Sequence, residues 1–170
     1  GKEPPADLEP GQVGNARAWL GDRLRGAFQH AWGGDYSGAA DAEVLDALVY
    51  NVFPNFAPWG GFAPNIVYRW RPFERDVSRC IMEVMILKRV PEGGDRPPPA
   101  TVRRLADDEP WSNAKELPVL GPVIDQDLAN LPHMEAGLRS LARGQVQLGH
   151  YQERRIRHFH RALDHYLQTA

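Results

Sequence analysis

Two stretches of alternating side chains joined by a short polar link constrain this chain most: Asn65–Arg71 and Ser78–Val90. In the first, Ile66, Tyr68 and Trp70 alternate with Val67, Arg69 and Arg71. In the second, Cys80, Met82, Val84 and Ile86 alternate with Ile81, Glu83, Met85 and Leu87. A repeat of two is the period of a strand, and a link as short as Pro72-Phe73-Glu74-Arg75-Asp76 predicts an antiparallel hairpin. Both faces of the second stretch are largely apolar, which predicts a sheet covered on both sides near its middle. Cys80, in mid-strand with no histidine beside it, reads as a buried structural thiol. Glu83, among apolar neighbours, reads as a partner for an upstream arginine.

The flanking patterns are helical. The first dozen residues, rich in proline, glycine and charge, read as a loose lead-in. From Gln12 to Phe28, apolar residues including Leu20 and Leu24 recur at helical spacing, until Trp32-Gly33-Gly34-Asp35 ends the run. A second helix is predicted from Asp41 to Val49, leading into Tyr50–Phe56, where aromatic and β-branched residues favour a strand ended by Pro54. Pro91–Pro110 reads as a surface excursion with one short strand at Thr101–Leu105. Helical spacing resumes at Val123 and continues, kinked at Pro132, through Leu141. A last helix from His150 to Leu167 sets Tyr151, Ile156, Phe159 and Leu163 on one face. Helices, antiparallel strands and further helices in that order predict an α+β domain.

A 170-residue chain that is 42% hydrophobic and 25% charged can bury one core. Its net charge of -2 argues against binding nucleic acid through phosphate contacts. A single cysteine excludes an internal disulfide framework, and no apolar run is long enough for a membrane span. Both point to the cytoplasm. The chain has no Gly-x-Ser-x-Gly, phosphate loop, paired-cysteine zinc motif or calcium loop.

Chemistry concentrates in Val123-Ile124-Asp125-Gln126-Asp127-Leu128-Ala129-Asn130-Leu131-Pro132. Two carboxylates in an apolar segment suggest burial, which is costly unless the acids are paired, hydrogen-bonded or metal-bound. Taken alone, Asp127 also suits a helix N-cap or an arginine's partner. His158, His160 and His165 read as the solvent face of an amphipathic helix, with Glu153 and Arg157 paired four residues apart.

With Val52-Phe53-Pro54-Asn55-Phe56, Tyr68-Arg69-Trp70-Arg71-Pro72, Gly137-Leu138 and Tyr151-Gln152-Glu153-x-x-Ile156-Arg157-His158-Phe159-His160, that segment resembles the C-terminal part of the catalytic (alpha) subunit of Rieske non-haem iron aromatic-ring-hydroxylating oxygenases. The resemblance spans Tyr50 to Leu167. It implies a helix-grip (Bet v1-like or START-like) fold, an antiparallel sheet with a long C-terminal helix, incomplete in this chain. Residues 1–170 would be one portion of the catalytic domain, with the Rieske domain outside it.

The implied cofactors are mononuclear Fe(II), held by two histidines and a carboxylate, and a [2Fe-2S] Rieske cluster in the upstream domain. The carboxylate falls on Asp127, with Asp125 as rival and Asn130 orienting it. The family's Asp-x-x-His-x-x-x-x-His and Cys-x-His…Cys-x-x-His segments are not in this sequence, so the chain alone is expected to be inactive. Phe53, Phe56, Tyr68, Trp70 and Val123 are candidate pocket walls; plain core packing is the competing reading. The implied partners are a ferredoxin or reductase passing electrons from NAD(P)H, an aromatic or other apolar substrate, and further copies in a homotrimer. Two alternatives stay open: a non-catalytic helix-grip module holding a hydrophobic small molecule, and an interaction half whose sheet edge pairs with another chain.

Overall fold

The computed structural model of the protein describes residues 13–62, 65–91 and 93–169. The loose lead-in expected over the first dozen residues lies outside these. The chain divides into two compact units, residues 1–97 and 98–170.

The first unit opens with helix α1 (Val13–Trp32). It runs one turn beyond Phe28, where the sequence pattern faded, and stops at Gly33 and Gly34. Both take positive φ (71° and 84°), a left-handed conformation that costs glycine little and ends helices readily. A short helix α2 (Asp41–Leu45) packs on it, with Val44 fully buried. Arg25 ties the two by donating to the Ala39 carbonyl (2.9 Å) and the Asp41 carboxylate, and Arg17 reaches Asp46 at 2.7 Å.

The predicted helix over Asp41–Val49 is therefore shorter than expected. Leu48–Val49 form strand β1 instead, and the predicted strand at Tyr50–Phe56 is a turn closed by the Val52–Phe56 bridge, containing the cis Phe53–Pro54 bond. The strand that follows is β2 (Phe56–Gly60). Its Pro58 and Gly60 conceal it from propensity, yet Pro58 still offers its carbonyl to the Tyr50 N–H at 3.0 Å.

β3 (Ile66–Phe73) and β4 (Asp76–Ile86) make the predicted hairpin, with a tighter turn: Phe73 pairs with Asp76 across Glu74-Arg75. The sheet is wholly antiparallel in the order β1-β2-β3-β4. Cover on both faces holds near its middle. Ala57 is opposite Tyr68 and Pro58 opposite Val67, so the buried Ala57 and Val67 lie on opposite faces. On the edge strand the expectation fails: Ile81 to Met85 are only half-buried, and Cys80 is exposed rather than a buried thiol.

Glu83 finds its arginines. It is directly across from Arg69 and diagonal to Arg71, and it accepts from both, Arg71 Nη2 at 2.7 Å. Arg69 first, then Arg71, holds its carboxyl below the ordinary glutamate range. A depressed folded pKa adds stability that is full above the unfolded value, about 4.3, and is lost as pH falls through the folded one. Glu83→Gln should lower the urea midpoint at neutral pH, modestly because the arginines are half-exposed. The gap from the unmodified chain should close as pH drops below about 4. An equal gap in acid and at neutrality would refute that coupling.

The second unit holds a 3-10 turn (Trp111–Asn113), α3 (Leu120–Leu128), α4 (Leu131–Ser140) and α5 (Arg154–Thr169). Thr101–Leu105 is irregular, not a strand: among the described residues its β-branched Thr101 and Val102 pair with no strand. The predicted kinked helix over Val123–Leu141 is two helices, because Pro132 lacks an N–H and its ring clashes with the carbonyl four residues back, at Leu128. Pro132 fits instead in the first turn of α4. α5 starts at Arg154, so Tyr151 precedes the helix rather than belonging to its apolar face, and it is exposed. The class is α+β, an antiparallel sheet followed by helices that end in a long C-terminal one, consistent with a helix-grip-like composition.

Candidate functional site

Helix α3 carries both acids singled out in the sequence, and its rotation is fixed by what lies on one side of it. Ile124 is buried, as is Gly121 one turn earlier. Gly121 presents bare backbone to the 3-10 turn; a Cβ there would sit 2.6 Å from the Trp111 carbonyl oxygen and 3.0 Å from Ser112 Cα. Pro122 falls in the first turn of the helix, where an N–H would have no intrahelical acceptor.

Asp125 completes this inner side. Its Oδ1 accepts the Trp111 N–H at 2.7 Å and its Oδ2 the Ser112 N–H at 3.0 Å, the first two donors of the 3-10 turn. Burial works to raise this carboxyl. The Ser112 hydroxyl and the N–H groups of Ser112 and Trp111 outweigh it and hold the pKa below the ordinary aspartate range. Both oxygens are thus engaged by main chain, and Asp125 serves as a clamp between the turn and α3.

Asp127 lies two residues on, about 200° round the helix, on the opposite side from that clamp. It is exposed, against the burial that its apolar flanks suggested. Nor is it an N-cap, since it falls in the last turn of α3, where the negative end of the helix dipole disfavours an acid. Among the described residues its carboxylate has no ion pair or hydrogen bond. Val123, 47% exposed, is one turn before it on the same side. Ala129 and Asn130 keep right-handed helical dihedrals, so Asn130 follows one turn after Asp127. Asn130 makes no side-chain cap for α4; its carbonyl accepts the Met134 N–H at 3.0 Å. Leu131 and Met134, both more than half exposed, extend the apolar margin. The result is an acid and an amide on an apolar helix side.

The proposed pocket walls divide. Tyr68 and Trp70 share one face of β3, rings 5.8 Å apart, with Trp59 edge-on to Tyr68 at 6.0 Å. Phe56 is opposite Arg69 and so lies on the other face, while Phe53 is half-buried in the turn before β2. Val123 belongs to the second unit. His158, His160 and His165 are exposed on α5, and among the described residues no group of three or more His, Cys, Asp or Glu comes together. Glu153 and Arg157 do different work from the ion pair the spacing suggested. Glu153 accepts the Gly149 N–H, and Arg157 donates to the Gly149 and His150 carbonyls, so together they fasten the loop to the start of α5. The Asp125 clamp was missed from sequence; its partners are backbone N–H groups 13 and 14 residues away, which no side-chain motif reveals.

Among the described residues no helix is long and apolar enough to cross a membrane. The family model for the ring hydroxylating alpha subunit (catalytic domain) matches residues 10–169. No curated protein and no solved structure matches the chain.

Proposed function

Because the chain belongs to the ring-hydroxylating alpha-subunit catalytic-domain family, we propose that it forms part of the mononuclear iron domain of a Rieske-type oxygenase and that Asp127 is the anionic ligand it contributes. The observation that carries the assignment is the division of labour on α3. Asp125 is spent on two backbone N–H groups, whereas Asp127 is unpaired at a helix end that disfavours it, in the family's Asp-x-x-Asn motif. One family match running through both units supports reading residues 1–170 as a portion of a single domain.

The donor chemistry fits one arm of a ferrous site, a hard carboxylate oxygen, and not a whole one. The imidazole arms lie outside these 170 residues, so the chain by itself should neither retain iron nor hydroxylate. Iron, when bound, supplies the activation of dioxygen. What this chain supplies is geometry: the Asp125 clamp and Gly121 hold α3 at one rotation, Asp127 presents its carboxylate from the free side, and Asn130 one turn on can hydrogen-bond it and set its orientation. Val123, Leu131 and Met134 give the carboxylate an apolar margin. Electrons would come from NAD(P)H through a reductase or ferredoxin to a Rieske cluster in the upstream domain, the substrate being an aromatic or other apolar molecule. The parent enzyme would be a cytoplasmic homotrimer.

The test is reconstitution. A polypeptide joining this chain to its histidine-bearing segment should take up one ferrous ion per chain, and this chain alone none. With reductase and reduced nicotinamide, the complete protein should couple oxygen uptake to hydroxylation of an apolar aromatic. A joined protein that folds but takes up no iron would overturn the proposal.

A further inference from the structure

A second candidate site lies in the first unit and uses none of the residues assigned above. Where α1 ends, Phe28 stacks on Trp32 with ring centroids 4.6 Å apart, and Tyr36 meets Phe62 edge-on at 5.1 Å. The Arg89 guanidinium lies over two of these rings, 5.1 Å from the centroid of Trp32 and 4.9 Å from that of Phe62. Beside it is a cleft of about 340 Å³ lined by Trp32, Gly33, Gly34, Tyr36, Arg89 and Val90. Gly33 and Gly34 put no side chain into this space, and a Cβ at Gly33 would meet nothing within 4 Å.

Arg89 is the informative member. Arg17 and Arg25 on α1, and Arg69 and Arg71 on β3, each have a carboxylate partner. Arg89 has none among the described residues, nor any hydrogen-bond acceptor. A guanidinium is weakly hydrated on its flat faces and stacks readily on rings, while its N–H donors point outward in its plane. Ring contact therefore restricts Arg89 without using up a donor, leaving a partly ordered fork that matches a carboxylate's two oxygens. The rings next to it offer apolar, flat walls.

We infer that this cleft binds a small organic carboxylate with a flat apolar body, its two oxygens on Arg89 and its body against Trp32 and Tyr36. The charge on Arg89 selects the anion, the rings select the planar body, and the volume is at the small end of the range for ligand pockets, about 300–1,000 Å³. Neither feature suffices alone: a lone exposed arginine pairs weakly, and a bare aromatic cleft does not distinguish an acid from an alcohol.

Benzoate is the probe, titrated into the full chain while the Trp32 indole resonance and the Arg89 Nε–H are followed by NMR. Saturable shifts at both are expected. Benzyl alcohol (ring without charge), acetate (charge without ring) and inorganic phosphate should each bind at least about tenfold more weakly. Arg89→Gln and Trp32→Leu should each weaken benzoate by about tenfold or more. Arg89→Lys, which keeps the charge and loses the fork, should fall between. Arg79→Gln, which removes an arginine stacked on Phe73 elsewhere on the unit, should change nothing. Far-ultraviolet dichroism identifies any variant that has not folded, and the ligand comparison on the unmodified chain needs no variant. Benzyl alcohol or phosphate binding as tightly as benzoate would overturn the inference, as would an Arg89→Gln chain that folds and binds benzoate unchanged.

Discussion

Alanine at Asp127 should leave the chain as stable as before while stripping iron from the oxygenase that contains it. The side chain is exposed, has no partner among the described residues and lies where the α3 dipole disfavours it, so removing it takes away no folded-state contact. If the carboxylate is the anionic arm of the ferrous site, its loss leaves only neutral imidazoles. Iron affinity and hydroxylation should then both fall by more than about a hundredfold, beyond what the loss of a supporting residue costs. Asp125→Ala should do the reverse, losing thermal stability first and iron only as far as α3 is loosened. Thermal melts beside metal content per polypeptide separate the two. Equal retention of iron by Asp127→Ala and Asp125→Ala would remove the assignment. Asn130→Ala, keeping the carboxylate but losing the amide beside it, should show an intermediate loss, about ten- to a hundredfold in affinity.

The α+β class and the central hairpin were legible because alternation over Asn65–Arg71 and Ser78–Val90 is a local signal that tertiary contacts only reinforce. What misled was chemistry that acts at a distance. β2 carries no strand signal because Pro58 and Gly60 are poor strand formers, yet β1 and β3 on either side supply its pairing. Leu48 and Val49 continue the helical pattern of α2 but are drawn into the sheet opposite Gly60 and Trp59. Thr101–Leu105 shows the converse, β-branched Thr101 and Val102 that pair with no strand among the described residues.

At the candidate site, the motif was legible and its environment was not. Sequence placed Asp125, Asp127 and Asn130 together but left the two acids as rivals, because two residues of separation cannot say which way each points. The helix period divides them by about 200°, and only the 3-10 turn, distant in sequence, decides which side is inward. The apolar flanks suggest burial of both acids; they are an inner side, Ile124, and an outer margin, Val123 and Leu131. The family match over residues 10–169 agrees with the resemblance carried by those motifs.

The largest stability effect expected in the second unit comes from a single methyl group. Gly121→Ala would place a Cβ 2.6 Å from the Trp111 carbonyl oxygen and 2.9 Å from its carbon, closer than real Cβ atoms come. Because the obstacles are backbone and not the end of a flexible side chain, the 3-10 turn and α3 must separate. Separation costs more than the clash alone. It stretches the two N–H bonds to Asp125 and exposes surface around the buried Ala114, Leu117 and Ile124. Helix propensity works the other way, since alanine is better than glycine inside a helix by up to about 1 kcal/mol. Overpacking of about 1–3 kcal/mol sets the net sign, lowering Tm by roughly 2–4 °C per kcal/mol in a chain of this size. Asp125→Ala in the same background should cost less than it does alone, because the clamp is already strained open; non-additivity in a double-mutant cycle measures that coupling. A Gly121→Ala chain melting at or above the unmodified temperature would show that α3 does not rest on the turn, and Asp127 would then lose the support that aims it.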